Sequence, residues 1–142
     1  ELEITETTLM ENPERTIKLL NELYSQGLHL AIDDFGTGYS SLSALQQFPI
    51  CTLKIDKSFV RNIVTNPDDA TIVDTIIQMG KNLNMDVVAE GVEDEAQLNF
   101  LQKLGCNFVQ GLLFGDPMSA DNYLELLLAQ AEGTDTHRAL FA

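Results

Sequence analysis

The period of apolar and polar positions changes repeatedly along the chain, and each change marks an element. Leu2-Glu3-Ile4-Thr5 alternates as a short strand does, with one apolar face. Asn12-Pro13 then supplies a cap residue followed by proline at the first helical turn. Ile17, Leu20, Leu23 and Tyr24 recur at helical spacing up to Gly27, a residue suited to the left-handed conformation that ends helices. His29 to Asp33 is a mostly apolar strand that stops at Asp33-Asp34 and enters a Gly-rich loop, Phe35-Gly36-Thr37-Gly38-Tyr39-Ser40-Ser41, with a short helix after it. Residues 51–56 form the next strand, and a long helix after Asp68-Asp69 turns Ile72, Val73, Ile76, Met79 and Leu83 inward. Met85 to Glu90 is a further strand. It is followed by a helix through Leu98, Leu101 and Leu104, a brief strand over 107–110, and a last helix through Tyr123, Leu126 and Leu127. Residues 1–131 are assigned to one domain and the polar stretch 132–142 to a flexible tail.

Helical crossovers between strands require parallel neighbours, so the fold class is α/β. A doubly wound sheet gathers its site at one switch point, whereas a barrel gathers the ends of several successive strands. Glu3, Asp33, Asp34, Lys54, Asp56 and Glu90 all fall at or near C-terminal strand ends, which favours a partial (β/α) TIM-type barrel. A complete barrel has eight strand-helix units in roughly 250 residues. The five visible units therefore predict that about three N-terminal units are missing upstream. The opening without Met, inside a strand-like segment, agrees with a piece of a longer protein.

Composition narrows the chemistry. The 142 residues carry 22 acidic against 8 basic side chains, a formal charge of -14, so no polymeric nucleic acid is expected as partner: such surfaces need clustered cations to displace counterions. A small anion remains possible where divalent cations reverse the local field. Cys51 and Cys106 lack zinc-site spacing and read as packing residues of a reduced, cytoplasmic protein. His29 and His137 are isolated and offer no acid or base. No run of about 18 apolar residues occurs, so no membrane contact is expected of this segment, although its parent could be anchored elsewhere.

Adjacent carboxylates at Asp33-Asp34 repel unless a cation or hydrogen bonds offset them, and both reach one site only if the chain turns just after them, as Gly36 and Gly38 allow. A capping or turn pair is the plainer reading of the dipeptide alone. Glu3 and Glu90 add oxygen ligands of the kind that suit Mg²⁺ or Mn²⁺ over zinc or copper. Lys54, two residues before Asp56, either orients water and balances phosphate charge or braces the barrel through an Asp56 ion pair. The Gly-Thr-Gly stretch lacks P-loop spacing and reads as an active-site loop with hinge freedom, with Ser40-Ser41 capping the next helix. Phe108 and Phe114 either line a base pocket or pack in the core.

These residues carry a resemblance. Glu1-Leu-Glu-Ile-Thr-Glu6, Asp33-Asp-Phe-Gly-Thr-Gly-Tyr-Ser-Ser-Leu42, Leu53-Lys-Ile-Asp56, Ala89-Glu-Gly-Val-Glu93 and Gln110-Gly111 follow, in order, the motifs of EAL-domain cyclic-di-GMP phosphodiesterases. The chain resembles the C-terminal part of such a domain up to about Leu128. The resemblance implies metal-dependent opening of cyclic-di-GMP to linear pGpG by two ions, Mg²⁺ or Mn²⁺. It implies metal ligation by Glu3, Asp33 and Asp34, a catalytic water held by Lys54, and Glu90 as base or remaining ligand. Glu6 resembles the anchor of the loop after Asp34, and Asp56, Glu93 and Gln110 resemble supporting residues. Leu112 and Asp116 stand where relatives commonly carry an aromatic and a basic residue, implying weaker base stacking and phosphate contact. The Glu-Ala-Leu motif and an Asn ligand would lie upstream, so the isolated segment is expected to be inactive. The resemblance also implies a homodimer of the complete domain through elements near Asp34 and Asp56, and upstream sensory or GGDEF-like domains. Two rival functions are a non-catalytic cyclic-di-GMP receptor or scaffold, and another metal-dependent barrel enzyme such as an enolase-type lyase with Lys54 as carbon-acid base.

Overall fold

The computed structural model describes residues 1–38 and 42–131. Five strands form one parallel sheet in sequence order: β1 (Leu2–Thr5), β2 (Leu30–Phe35), β3 (Thr52–Ile55), β4 (Asp86–Glu90) and β5 (Phe108–Gln110). Helices join them: α1 (Glu6–Glu11) and α2 (Pro13–Ser25), then α3 (Leu42–Leu45), α4 (Lys57–Arg61) with α5 (Pro67–Leu83), and α6 (Glu95–Leu104), while α7 (Ala120–Ala131) follows β5. Strand-helix alternation with neighbouring strands in chain order is the connectivity of a (β/α) barrel laid open between β1 and β5. The polar tail at 132–142 lies outside the described residues.

The core lies between the sheet and its helices. Leu30, Ile32, Leu53, Ile55, Val87 and Ala89 leave alternate strand positions and are buried against Leu9, Leu20, Val60, Val73, Ile77 and Leu101. The intervening positions of β3, Thr52 and Lys54, are buried on the other face, and Lys54 there is only 5% exposed.

Local chemistry sets the helix ends. Asn12 Oδ1 accepts from Arg15 N and Asn66 Oδ1 from Asp68 N, each cap preceding a proline at the first turn. The structure adds two helices that the apolar pattern did not reveal. α1 begins Glu6-Thr-Thr, a run of weak intrinsic helicity, and is fixed by Leu9 in the core; α4 follows directly on the Asp56 cap. It also corrects several inward assignments: Tyr24, Ile72, Tyr123 and Leu127 are exposed, because the row of each helix that reaches the sheet runs through its neighbours, such as Leu20 on α2 and Val73, Ile76 and Ile77 on α5. Phe35, read as the start of the loop, is the buried last residue of β2.

α5 sits on β4 through Gly80, where a Cβ would come within 2.3 Å of Val87 Cγ2. Alanine would gain roughly 1 kcal/mol of helix propensity over glycine. The stiff, β-branched Val87 cannot give way, so overpacking of about 1–3 kcal/mol outweighs that gain. Gly80→Ala is expected to lower the stability measured by urea unfolding, and equal or higher stability would show that α5 can move off the sheet.

Candidate metal centre

The site begins at an irregularity in β2. Ile32 pairs with Leu53, but Phe35 pairs with Ile55, so Asp33 and Asp34 together stand opposite Lys54 alone. This is a β-bulge, and the extra residue re-aims the side chains beside it. Asp34 takes φ 53, the left-handed region that aspartate tolerates better than most residues. The turn that brings both carboxylates to one side is thus made at Asp34 itself, upstream of the glycines to which the sequence assigned it. Asp33, Asp34 and Glu90 can each offer a carboxylate oxygen, with the three oxygens within 4.8 Å of one another.

Lys54 reaches these acids from the middle of β3. Its Nζ lies 2.7 Å from Glu3 Oε1, 2.7 Å from Glu90 Oε1 and 3.3 Å from Asp33 Oδ1, so strands β1, β2 and β4 are all tied to one ammonium. Burial alone would favour the neutral amine, but the hydrogen bonds to Glu3 and Glu90 and the charges of Glu90 and Asp33 more than reverse it, holding the Lys54 pKa above its usual value. A raised lysine pKa contributes stability in full below the unfolded value and loses it only as pH rises through the folded one. Lys54 therefore stays charged at neutral pH. Lys54 pairs with Glu3, Glu90 and Asp33, and Asp56 is not among its partners within ion-pair distance among the described residues.

Asp56 has a different task. Its Oδ1 caps α4 by accepting from Ser58 N at 3.0 Å and from Ser58 Oγ. Burial would raise Asp56, yet the two Ser58 bonds, the contact with Asp34 and the charge of Lys57 leave its pKa lowered. Partial desolvation, then the charges of Asp33 and Asp56 and the Asp56 contact, push the Asp34 carboxyl above the ordinary range, against a smaller pull from Lys54. Among the described residues Asp33 Oδ1 is a buried side-chain oxygen that accepts no hydrogen bond, the Lys54 approach being an ion pair without hydrogen-bond direction. An orphan oxygen, three convergent carboxylates and an all-oxygen donor set fit a hard divalent cation.

The remaining candidates frame this centre. Glu6 is buried at the start of α1, and its Oε2 accepts from Gly36 N at 3.0 Å and Gly38 N at 3.1 Å; a Cβ at Gly38 would lie 2.9 Å from the Glu6 Cδ. Thr37 Oγ1 donates to Asp34 O at 2.9 Å, closing the turn. Tyr39, Ser40 and Ser41 lie outside the described residues. Gln110 pairs with Glu90 in the sheet and its carbonyl accepts from Val92 N at 3.0 Å. Glu93 lines a cavity of about 300 Å³ with Asp56, Lys57, Ser58, Arg61 and Gly91. Phe108 is partly exposed beside β4, and Phe114 packs against the core. Leu112 and Asp116 are both exposed. Cys106 lies at the opposite strand ends, where burial pushes its thiol up to about 11 and Sγ donates to Phe108 O at 3.3 Å, in keeping with a packing role. Gln97, which hydropathy left unmarked, is buried and joins Glu93 to Arg61; the Asp94-x-x-Gln97 capping pattern was the available signal.

Residues 1–117 match the family model described as EAL domain. The bifunctional diguanylate cyclase/cyclic di-GMP phosphodiesterase MucR of Pseudomonas aeruginosa is 48% identical over 123 residues, which cover 87% of this chain and 18% of that protein. The structure of the PaMucR phosphodiesterase in complex with c-di-GMP superposes with a TM-score of 0.83 at 48% identity, over 86% of this chain and 49% of that one. The manganese/cy-diGMP complex of Klebsiella pneumoniae BlrP1 gives 0.75 at 39% identity, over 81% and 29%. The chain thus spans under a fifth of the curated relative and about half of the MucR phosphodiesterase structure. Among the described residues no helix is long and apolar enough to cross a membrane.

Two outcomes follow from the carboxylate geometry. Asp34→Asn keeps a residue tolerant of the left-handed region while removing a repelled charge, so it should raise the thermal midpoint of the metal-free chain yet weaken Mn²⁺ binding by more than roughly tenfold, the loss typical even of a partner that only orients a ligand. A raised carboxylate pKa opposes folding above that pKa and ceases to do so as pH falls through it, because the acid is then neutral. Cation affinity runs the other way: calorimetry over a descending pH series should show Mn²⁺ binding weaken on acidification, with Asp34 taking up its proton before a carboxyl of ordinary pKa does.

Proposed function

Because the chain belongs to the EAL domain family, we propose that the complete domain containing it hydrolyses cyclic-di-GMP to linear pGpG, using divalent cations at the carboxylate centre. The observation that carries this reading is the meeting of Asp33, Asp34 and Glu90 within 4.8 Å, with a buried Asp33 oxygen left without a hydrogen bond. Cyclic-di-GMP in the MucR and BlrP1 complexes, and manganese in the latter, support the choice of ligand and cation.

Asp33, Asp34 and Glu90 would hold one ion, and Glu3, tied to the same ammonium from β1, is our assignment for a ligand to a second. When bound, Mg²⁺ or Mn²⁺ supplies charge to the phosphoryl oxygens and acidifies water. Lys54 pairs with Glu3 and Glu90 and gives the site its permanent positive charge. Glu90 accepts the proton of the water that attacks phosphorus, and the P–O3′ bond breaks, the 3′-oxygen taking a proton from solvent and the phosphorus remaining as a 5′-phosphate. Glu6 holds the backbone of Gly36 and Gly38 and so sets the path of the chain leaving Asp34. Asp56, in the supporting role the family resemblance gives it, faces Asp34 from α4, while Glu93 and Gln110 flank the end of β4. Sensory or GGDEF-like neighbours, a cytoplasmic location and a homodimer of the complete domain belong to the same proposal.

Incubating the complete domain with cyclic-di-GMP and Mg²⁺ or Mn²⁺, with chromatographic detection of pGpG, tests it. Turnover is expected, with a loss of about 10²-fold or more in Glu90→Gln. The 142-residue segment alone is expected to bind cation without turnover. Tight binding of cyclic-di-GMP by the complete domain without hydrolysis would replace the enzyme by a receptor, and consumption of a non-phosphate metabolite would point to a lyase.

A further inference from the structure

The loop that leaves Glu90 is tethered on two sides. Toward β5, Val92 N donates to Gln110 O and Leu113 N to Val92 O, each at 3.0 Å, and Gly111 lies so near that a Cβ would come within 2.1 Å of Val92 O. Toward α4, Gly91 packs closely on Lys57, and among the described residues the side-chain hydrogen bonds run through Gln97. Gln97 Oε1 accepts from Glu93 N at 2.7 Å and Asp94 N at 3.2 Å, while its Nε2 donates to Arg61 O at 3.2 Å. Its backbone N donates to Asp94 Oδ1 at 2.8 Å, which completes the capping box of α6.

A capping box needs only the bonds between Gln97 and Asp94. The bonds to Glu93 and Arg61 exceed it, and Arg61 ends the helix that Asp56 begins. Gln97 is 5% exposed, so losing a partner would strand a buried amide. Glu90 ends β4 three residues before Glu93, so the bonds from Gln97 to Glu93 N and Arg61 O restrain the segment that leaves it.

We infer that Gln97 is a positioning residue for the carboxylate centre, holding the Glu90 loop against α4 so that Glu90 stays within ligating distance of Asp33 and Asp34. It touches neither cation nor substrate and acts through Glu93 and Arg61. The inference rests on the cation reading given under Proposed function.

The test compares Gln97→Met with Asp94→Ala in the complete domain, measuring Mn²⁺ affinity by calorimetry, thermal midpoint, and pGpG formation across Mn²⁺ concentrations. Asp94→Ala removes the cap and leaves the Glu93 and Arg61 bonds; it should lower the midpoint while keeping Mn²⁺ affinity within about twofold. Gln97→Met should weaken Mn²⁺ binding by about 10- to 100-fold, the range for partners that orient metal ligands, with activity recovering at high Mn²⁺. Should Gln97→Met fail to fold, Gln97→Glu carries the test: it keeps the acceptor for Glu93 and Asp94, loses the donor to Arg61, and should also weaken Mn²⁺ binding. Wild-type Mn²⁺ affinity in the folded Gln97 variant, or an equal loss in Asp94→Ala, would overturn the positioning role while leaving the cation reading intact. Absence of Mn²⁺ binding by the wild-type domain would remove that reading and this inference with it.

Discussion

The whole site depends on one buried ammonium. Lys54 lies in the middle strand of the five, nearly sealed from water, and touches carboxylates from β1, β2 and β4. An unpaired charge in that position would be costly, and so would three carboxylates without it; each makes the other tolerable. The consequence is geometric as much as energetic. Three strands contribute acids at heights fixed by their pairing with β3 and its neighbours, so the sheet register and the charge pattern specify the same arrangement.

Around this pair of constraints the remaining features become intelligible as positioning. The bulge at Asp33-Asp34 resolves a conflict that a regular strand cannot, since successive side chains would otherwise face opposite sides. It does so by placing Asp34 in a left-handed conformation, which Thr37 closes with a hydrogen bond to the Asp34 carbonyl. Glu6 then takes the two glycine amides that follow. A small set of local bonds thereby converts a strand end into a defined corner.

Much of this was legible in the sequence because strand-end acids and strand-helix alternation are both periodic signals. Glu3, Asp33, Lys54 and Glu90 fall at positions where a parallel sheet brings side chains together, and the structure joins them as close neighbours. The bulge was not legible: Gly36 and Gly38 are the conspicuous flexible residues, whereas a left-handed aspartate has no mark of its own in a single sequence. The brace expected between Lys54 and Asp56 gave way to Ser58, because α4 starts at once and Asp56 is needed as its cap. α1 and α4 were invisible for a related reason, being too short to show a helical period and set by tertiary contact at Leu9 and Val60. Gln97 was hidden by reading for hydropathy alone, since a buried amide in a polar turn looks like any solvated residue.

The balance of sign at the centre has a consequence for order. Four carboxylates confront one ammonium, in a chain already strongly acidic, so an empty centre repels a doubly charged ester at a distance. If the proposed ions occupy it, they must arrive first. A nucleotide of the proposed kind would then meet a reversed field, and the free divalent concentration would gate its association as well as the proposed chemistry.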